Sequence, residues 1–326
     1  MPTDPFEYIW PGIILAQAIY AATELRLADL LDAGPMSIEE LAHAAEARPA
    51  HLGRLIQALS SYGIFAFEAD GRVTNSPYSQ LLIANRLDSR RACTQFLPAP
   101  FLWQPLGKLV HTVRTGEPAF DLVFGEGFFD YLGQHPEASE IFNSMMTQGS
   151  AWTTQVLLDA YDFAHYRKLV DVGGGEGALL REILAYTPRL KGVLFDQDQV
   201  IEHHVINSEL LERCEVVGGD FFGVIPEGGD AYLLNGVLHN WLDDEVIAIL
   251  RNVRRAIPPQ GTLLVLESLV DRDPQDIAIS DLLMMVIGGR ERSEATYRRL
   301  SERAGFELYR VIPMQGGMSL LECKPV

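Results

Sequence analysis

Cysteine is scarce in this chain. Cys93, Cys214 and Cys323 are the only three in 326 residues, and their wide separation gives neither a disulfide framework nor metal-ligand spacing. A reducing, cytoplasmic setting is expected. Positive charge is scarce as well: 26 Lys and Arg stand against 44 Asp and Glu, a formal net charge of −18. Nucleic acids and anionic membranes need a basic surface, so neither is expected as a partner. Long apolar runs are missing too. The stretch Tyr8 to Ala22 is short and carries Pro11, Gly12 and Gln17, which argues against a membrane span. Asp4 and Glu7 stand where a signal peptide would carry basic residues. A helix this apolar on every side must be buried, and a subunit interface is one way to bury it.

What is present centres on Leu169-Val170-Asp171-Val172-Gly173-Gly174-Gly175-Glu176-Gly177. An apolar run enters a glycine cluster and a helical stretch, 178–186, leaves it: strand, tight turn, helix, as in a nucleotide-binding α/β unit. From 168 onward strands are expected at 168–173, 192–196, 214–219, 231–236, 261–268, 306–313 and 318–324. Helices are expected near 178–186, 198–206, 243–256 and 293–304. Gln315-Gly316-Gly317 joins the last two strands as an antiparallel hairpin, and the rest should be parallel with right-handed crossovers. This is an α/β class with a Rossmann-like, seven-stranded, mostly parallel sheet.

The first 85 residues read differently. Glu24 to Leu31 is amphipathic, Ser37 and Glu40 form a capping box opening a helix to Ala47, and Pro49 starts another that closes near Gly63. Ile64 to Phe67, Asp70-Gly71 and Arg72 to Thr74 form a hairpin. Helix, helix, hairpin is a winged-helix pattern. Residues 1–110 hold 8 Lys and Arg against 11 Asp and Glu, too little positive charge for phosphate contacts, so a reused scaffold is favoured over a DNA-binding regulator. Three domains are expected: 1–100, a helical connector over 101–150, and 151–326. The connector region is rich in large apolar groups, among them Phe142, Met146 and Trp152. Most belong to a core, and some would suit a pocket for a flat apolar substrate.

Candidate chemistry sits at strand ends. Asp196, about 20 residues past the glycine turn, suits ribose hydroxyls. Asp220, followed by Phe221, suits an adenine amino group with a ring packed on the base. Gly173-x-Gly175-x-x-Ala178 fits a dinucleotide fingerprint equally well, so the pattern alone does not separate NAD-dependent oxidoreduction from S-adenosylmethionine (SAM) binding. His239 follows strand 231–236, at the end that faces the ligand crevice. A neutral imidazole there suits proton removal from a substrate hydroxyl, with Glu267 and Glu291 placed to hold and polarise it. His203-His204 has no ligand partners at metal spacing, so no metal site is expected.

With these residues in place, the chain resembles the class I SAM-dependent small-molecule O-methyltransferases of the plant caffeic-acid and bacterial natural-product type. The motifs are Asp171-Val172-Gly173-Gly174-Gly175-x-Gly177, Phe195-Asp196, Gly219-Asp220-Phe221-Phe222, His239-x-Trp241-x-Asp243, Gly289-Arg290-Glu291-Arg292 and Ala304-Gly305-Phe306. The resemblance covers essentially the whole chain. It implies SAM as cofactor, an N-terminal winged-helix-like dimerisation domain that exchanges helices in a homodimer, and a small aromatic or polyketide-like acceptor methylated on a hydroxyl. It implies that Ser150, Asp171, Gly173, Gly174, Gly175, Asp196, Asp220, Phe221 and the position of Asn235 serve the cofactor. His239 would be the general base between Glu267 and Glu291. Phe142, Met146, Trp152 and Asn240 would shape the acceptor pocket. Three departures stand out. Asn235 replaces a frequent Lys or Arg, Asn240 replaces an Asp, and Gln197-Asp198-Gln199 replaces a more apolar segment. Some relatives methylate nitrogen or perform other chemistry.

Overall fold

The computed structural model describes residue 6 and residues 9–86, 88–272 and 274–326, without the side chains of 149–152, 274–276 and 316. Asp4, Glu7 and Tyr8 lie outside the described residues. The chain divides into two compact units, residues 1–104 with 140–148, and residues 105–139 with 149–326.

The first unit opens with the helix Ile9–Glu24. Ala22 at its far end is buried, but Trp10 is 81% exposed and Ile9, Ile13 and Ile14 are also exposed. The amphipathic helix expected over 24–31 is not continuous. Arg26 takes a left-handed conformation (φ 53°), which ends one helix and makes the next, Leu27–Leu30, a single short piece. The capping box forms as expected: Ser37 Oγ accepts from the Glu40 N–H and Glu40 Oε2 accepts from the Ser37 N–H at 2.8 Å. It opens the helix Ile38–Ala44, shorter than the stretch to Ala47. Pro49–Ser61 follows, then the hairpin β1 (Phe65–Phe67) and β2 (Val73–Asn75) turned at Gly71, where φ is +85°. Leu27, Leu41, Ile56, Leu59, Phe65 and Val73 form the core.

The second unit is built on seven strands: β3 (Lys168–Val172), β4 (Lys191–Asp196), β5 (Cys214–Gly218), β6 (Ala231–Asn235), β7 (Thr262–Ser268), β8 (Phe306–Pro313) and β9 (Met318–Pro325). Their order is β5-β4-β3-β6-β7-β9-β8, with β9 alone antiparallel to its neighbours. The expected sheet is therefore the observed one. Its inner strands are apolar throughout because both faces are covered. Val170, Phe195 and Leu234 bury to one side, and Leu169, Leu194 and Leu233 to the other. The chain runs outward from β3 to β5 and then returns to β6 on the opposite side of β3. That reversal opens a crevice at the carboxyl ends of β3, β4 and β6.

Two helical expectations change. The stretch 198–206 holds only the short helix Asp198–Ile201, and another, Ser208–Leu211, lies beyond it. The Val205 N–H donates to the distant carbonyl of Glu176 at 2.8 Å, which pulls the chain out of helix. A helix at Pro274–Ile287, to which no element was assigned from sequence, is also present. The expected helices Ala178–Tyr186, Asp243–Ala256 and Glu294–Arg303 form, the last capped by Ser293 and followed by Gly305 at φ +86°. Among the described residues no helix is long and apolar enough to cross a membrane.

Ser37→Ala is expected to destabilise the first unit by about 1 kcal/mol. The check is faster amide exchange across Ile38–Ala44 with unchanged protection in the seven-stranded sheet.

Candidate active site

The glycine turn begins where β3 ends. The Gly173 N–H donates to the Phe195 carbonyl at 2.8 Å, which extends the β3–β4 ladder into the loop. The Gly175 N–H donates to Asp196 Oδ2 at 2.7 Å, and the Gln197 N–H to Asp196 Oδ1 at 2.7 Å. Asp196 is thus fixed at the end of β4 with one lone pair of each oxygen engaged. Burial raises its pKa, opposed by those two N–H groups. Gly174 is required sterically: a Cβ there would lie 2.6 Å from Asp171 Oδ2 and 2.7 Å from Leu194 Cδ1. Gly175, at φ +60°, faces open space on the other side. The loop is therefore packed tightly on Asp171 and bare on its outer surface, as close approach of a ligand requires.

Asp171 itself is buried, and neither carboxylate oxygen has a hydrogen-bond partner among the described residues. Burial first, and then the charge of Asp196, push its pKa up to about 7. A cationic ligand above the loop would offset that cost. SAM carries a sulfonium and an ammonium group, so this corner suits it.

Asp220 is exposed and its Oδ1 accepts from the Phe222 N–H at 2.8 Å. The Phe221 ring lies beside Gly173, 3.6 Å from where a Cβ would stand. It meets Trp241 edge-on at 5.8 Å, and Phe129 stacks on Trp241 at 5.5 Å. Asn235 ends β6 opposite Leu266. The Asn240 amide donates to the Gly236 carbonyl at 3.0 Å and braces the loop between them. Phe142 and Met146 belong to the first unit, where Phe142 packs on Phe96 at 5.8 Å and Met146 is exposed. The side chains of Ser150 and Trp152 lie outside the described residues.

His239 sits in a one-turn 3-10 segment, Leu238–Asn240, after β6. Glu267 near the end of β7 accepts from the Leu238 N–H at 2.8 Å and the His239 N–H at 3.3 Å through Oε1, while its Oε2 is 3.5 Å from His239 Nδ1. Glu291 Oε1 is 3.3 Å from the same Nδ1 and accepts from Ser280 Oγ at 3.2 Å. One ring nitrogen of His239 and one oxygen of each carboxylate lie within 4.8 Å of one another, a spacing that could also hold a cation. Both carboxylates are buried, whereas the His239 side chain keeps 24% exposure. Burial alone would lower the imidazole pKa. The charge of Glu267, then the hydrogen bond and charge of Glu291, outweigh it and raise the pKa to about 9, with Arg292 pulling the other way. Burial raises Glu267, and His239 draws it back. The structure thus brings together the three residues that the sequence pointed to. Arg292, Ser280 and Trp241 support them without having been singled out as site residues. Arg292 and Trp241 lay within motifs, but their part depends on burial that only the fold supplies.

Residues 103–307 match the O-methyltransferase domain family and residues 9–85 match the O-methyltransferase dimerisation domain. The chain belongs to the O-methyltransferase family. This methyltransferase uses SAM as its methyl donor, so the nicotinamide and DNA-regulator alternatives give way. It is similar to a phenazine O-methyltransferase of Lysobacter antibioticus, 35% identical over 97% of this chain and 94% of that protein. It is also similar to an 8-amino-8-demethylriboflavin N,N-dimethyltransferase of Streptomyces davaonensis, 34% identical over 95% of this chain and 92% of that protein. Among solved structures it resembles an O-methyltransferase from neocarzinostatin biosynthesis in complex with SAM and 2-hydroxy-5-methyl naphthoic acid, with a TM-score of 0.83, 29% identity and 96% of each chain covered.

Gly174→Ala is expected to destabilise the second unit by about 1–3 kcal/mol through forced displacement of Asp171 or Leu194. Chemical denaturation of the variant beside the native chain measures this.

Proposed function

We propose that this methyltransferase methylates a hydroxyl, phenolic in character, on a small aromatic or polyketide-like metabolite, with His239 as general base. The observation that carries the reading is the placement of His239: two buried carboxylates lie 3.5 and 3.3 Å from Nδ1, while Nε2 is bonded to no described residue. Two negative charges gathered beside one nitrogen favour a proton there and leave the other to meet the acceptor. Asp171, Gly173, Gly174, Gly175, Asp196, Asp220, Phe221 and Asn235 would hold the donor, which supplies an electrophilic methyl carbon when bound. Ser150 joins them on the family resemblance. Nε2 would take the proton of the acceptor hydroxyl; the donor, when bound, would supply the methyl group, its C–S bond breaking as the C–O bond forms and its sulfur leaving as a neutral thioether. Glu267 and Glu291 stabilise the imidazolium that results. Its pKa near 9 lies close to that of an ordinary phenol, about 10, so the proton moves between near-equal partners. A homodimer through residues 9–85 belongs to the same proposal, and the exposed Ile9, Trp10, Ile13 and Ile14 are the surface it would cover.

Nitrogen methylation is the second reading, favoured by the similarity to the N,N-dimethyltransferase. The same base would then remove a proton from an aryl amine. A paired panel of phenols and aryl amines separates the two.

His239→Gln is expected to lower kcat by roughly 10²–10⁴-fold while calorimetric affinity for SAM holds. Full turnover in this variant excludes His239 as base. In the native enzyme the neutral imidazole is the minority form at pH 7, so kcat/KM should rise with pH and level off near the His239 pKa of about 9. The variant should lose that rise. Because His239 titrates higher folded than its ordinary value of 6.5, its contribution to stability is full below that value and is lost as pH climbs through about 9. A metal plays no part in this scheme, so turnover should be unchanged after EDTA treatment and dialysis.

A further inference from the structure

The side chain of Arg292 is completely buried (0% exposed). A guanidinium in that position brings five N–H donors that need acceptors. Nε donates to Asp243 Oδ1 at 2.9 Å, Nη1 to the carbonyls of Leu238 at 2.9 Å and Arg290 at 3.2 Å, and Nη2 to the carbonyl of Trp241 at 2.6 Å. Leu238 and Trp241 bracket His239 on either side.

The backbone of Arg292 is anchored elsewhere. Its carbonyl accepts from the Val270 N–H at 3.2 Å and it bridges Leu269 in parallel, two residues past Glu267 and just beyond the end of β7. Its neighbour in the chain is Glu291. One residue therefore reaches every part of the cluster: Glu267 through the strand, Glu291 through the adjacent peptide, and the His239 turn through the guanidinium. The Arg290 N–H adds a bond to the His239 carbonyl at 2.6 Å. Gly289 lets the two segments meet, since a Cβ there would collide with that same carbonyl.

We propose that Arg292 is a positioning residue for the methyl transfer, fixing the His239 turn against Glu267 and Glu291 and so setting the direction in which the imidazole meets the acceptor. This rests on the reading of His239 as general base. The guanidinium fork is essential to the role, because a lysine ammonium has three donors on one atom and cannot meet three carbonyls and a carboxylate at once. The other titratable groups about the cluster are Tyr297, buried on the helix Glu294–Arg303, and Asp281, which accepts from the Glu291 N–H at 2.7 Å.

The test is Arg292→Lys in the full chain, read by steady-state kinetics, calorimetric SAM affinity and NMR titration of the His239 ring. Kcat is expected to fall on the order of 10²-fold, the scale of a misplaced catalytic group, with KM and SAM affinity held. The ring should titrate lower than in the native enzyme, because it is no longer pinned between two carboxylates. A purely structural role would lower thermal stability and leave the ring titration alone. Asp243→Asn removes one partner of the fork and keeps the carbonyl bonds; smaller changes of the same sign are expected, and this variant carries the test where Arg292→Lys does not fold. A folded variant of either kind with native kcat and native ring titration overturns the proposal. If His239→Gln turns over normally, the base reading fails instead, and the ring titration still reports on the clamp.

Discussion

Two buried carboxylates on one side of an imidazole set the terms for the catalytic end of the sheet. Glu267 and Glu291 repel each other, and neither is solvated. Such a pair persists only where positive charge and N–H donors surround it. Here His239 lies between them, the Leu238 and His239 N–H groups bond to Glu267, and the Asp281 carboxylate takes the backbone N–H of Glu291 rather than adding a third charge to the ring. The 3-10 turn, the strand end and the loop from Gly288 to Ser293 are all shaped by this neutralisation. The raised imidazole pKa is its by-product.

The glycine corner obeys a different constraint, one of volume. The chain must pass over Asp171 and Leu194 with no side chain beneath it, while the outer surface stays clear. The two corners lie at the carboxyl ends of β3, β4, β6 and β7, so the parallel sheet brings the buried Asp171 carboxylate and the His239 ring to the same edge. Neither corner needs a loop of its own to reach the other.

Much of this was legible beforehand, for physical reasons. Parallel strands buried on both faces are continuous apolar runs stopped by Gly or Asp, which is why β3, β4, β6 and β7 could be read from composition. His239, Glu267 and Asp196 were legible because each ends or follows such a run. The helix Pro274–Ile287 escaped because its apolar residues are not gathered on one face, Ile279 and Leu282 being exposed while Ile277 and Val286 are buried, so no clear period shows. The break after Ile201 was invisible because its cause, the Val205–Glu176 bond, spans the glycine loop. Arg26 in a left-handed conformation breaks a rule of thumb that favours glycine there. Arg292 lay in a motif, but its partners Leu238 and Asp243 are about 50 residues away in sequence.

The placement of β9 bears on how the chain is made. It lies between β7 and β8 and pairs with both, Leu266 with Leu320 on one side and Ile312 with Leu320 on the other. During synthesis the side of β7 away from β6 therefore stands as an open edge, the N–H and C=O groups on that side unpaired, until residues 318–325 have left the ribosome. The strand that carries Glu267 is the one left waiting. Assembly of the sheet's far side is accordingly a late event, and the chain is most open to misplaced strand pairing in the interval before the last strand inserts.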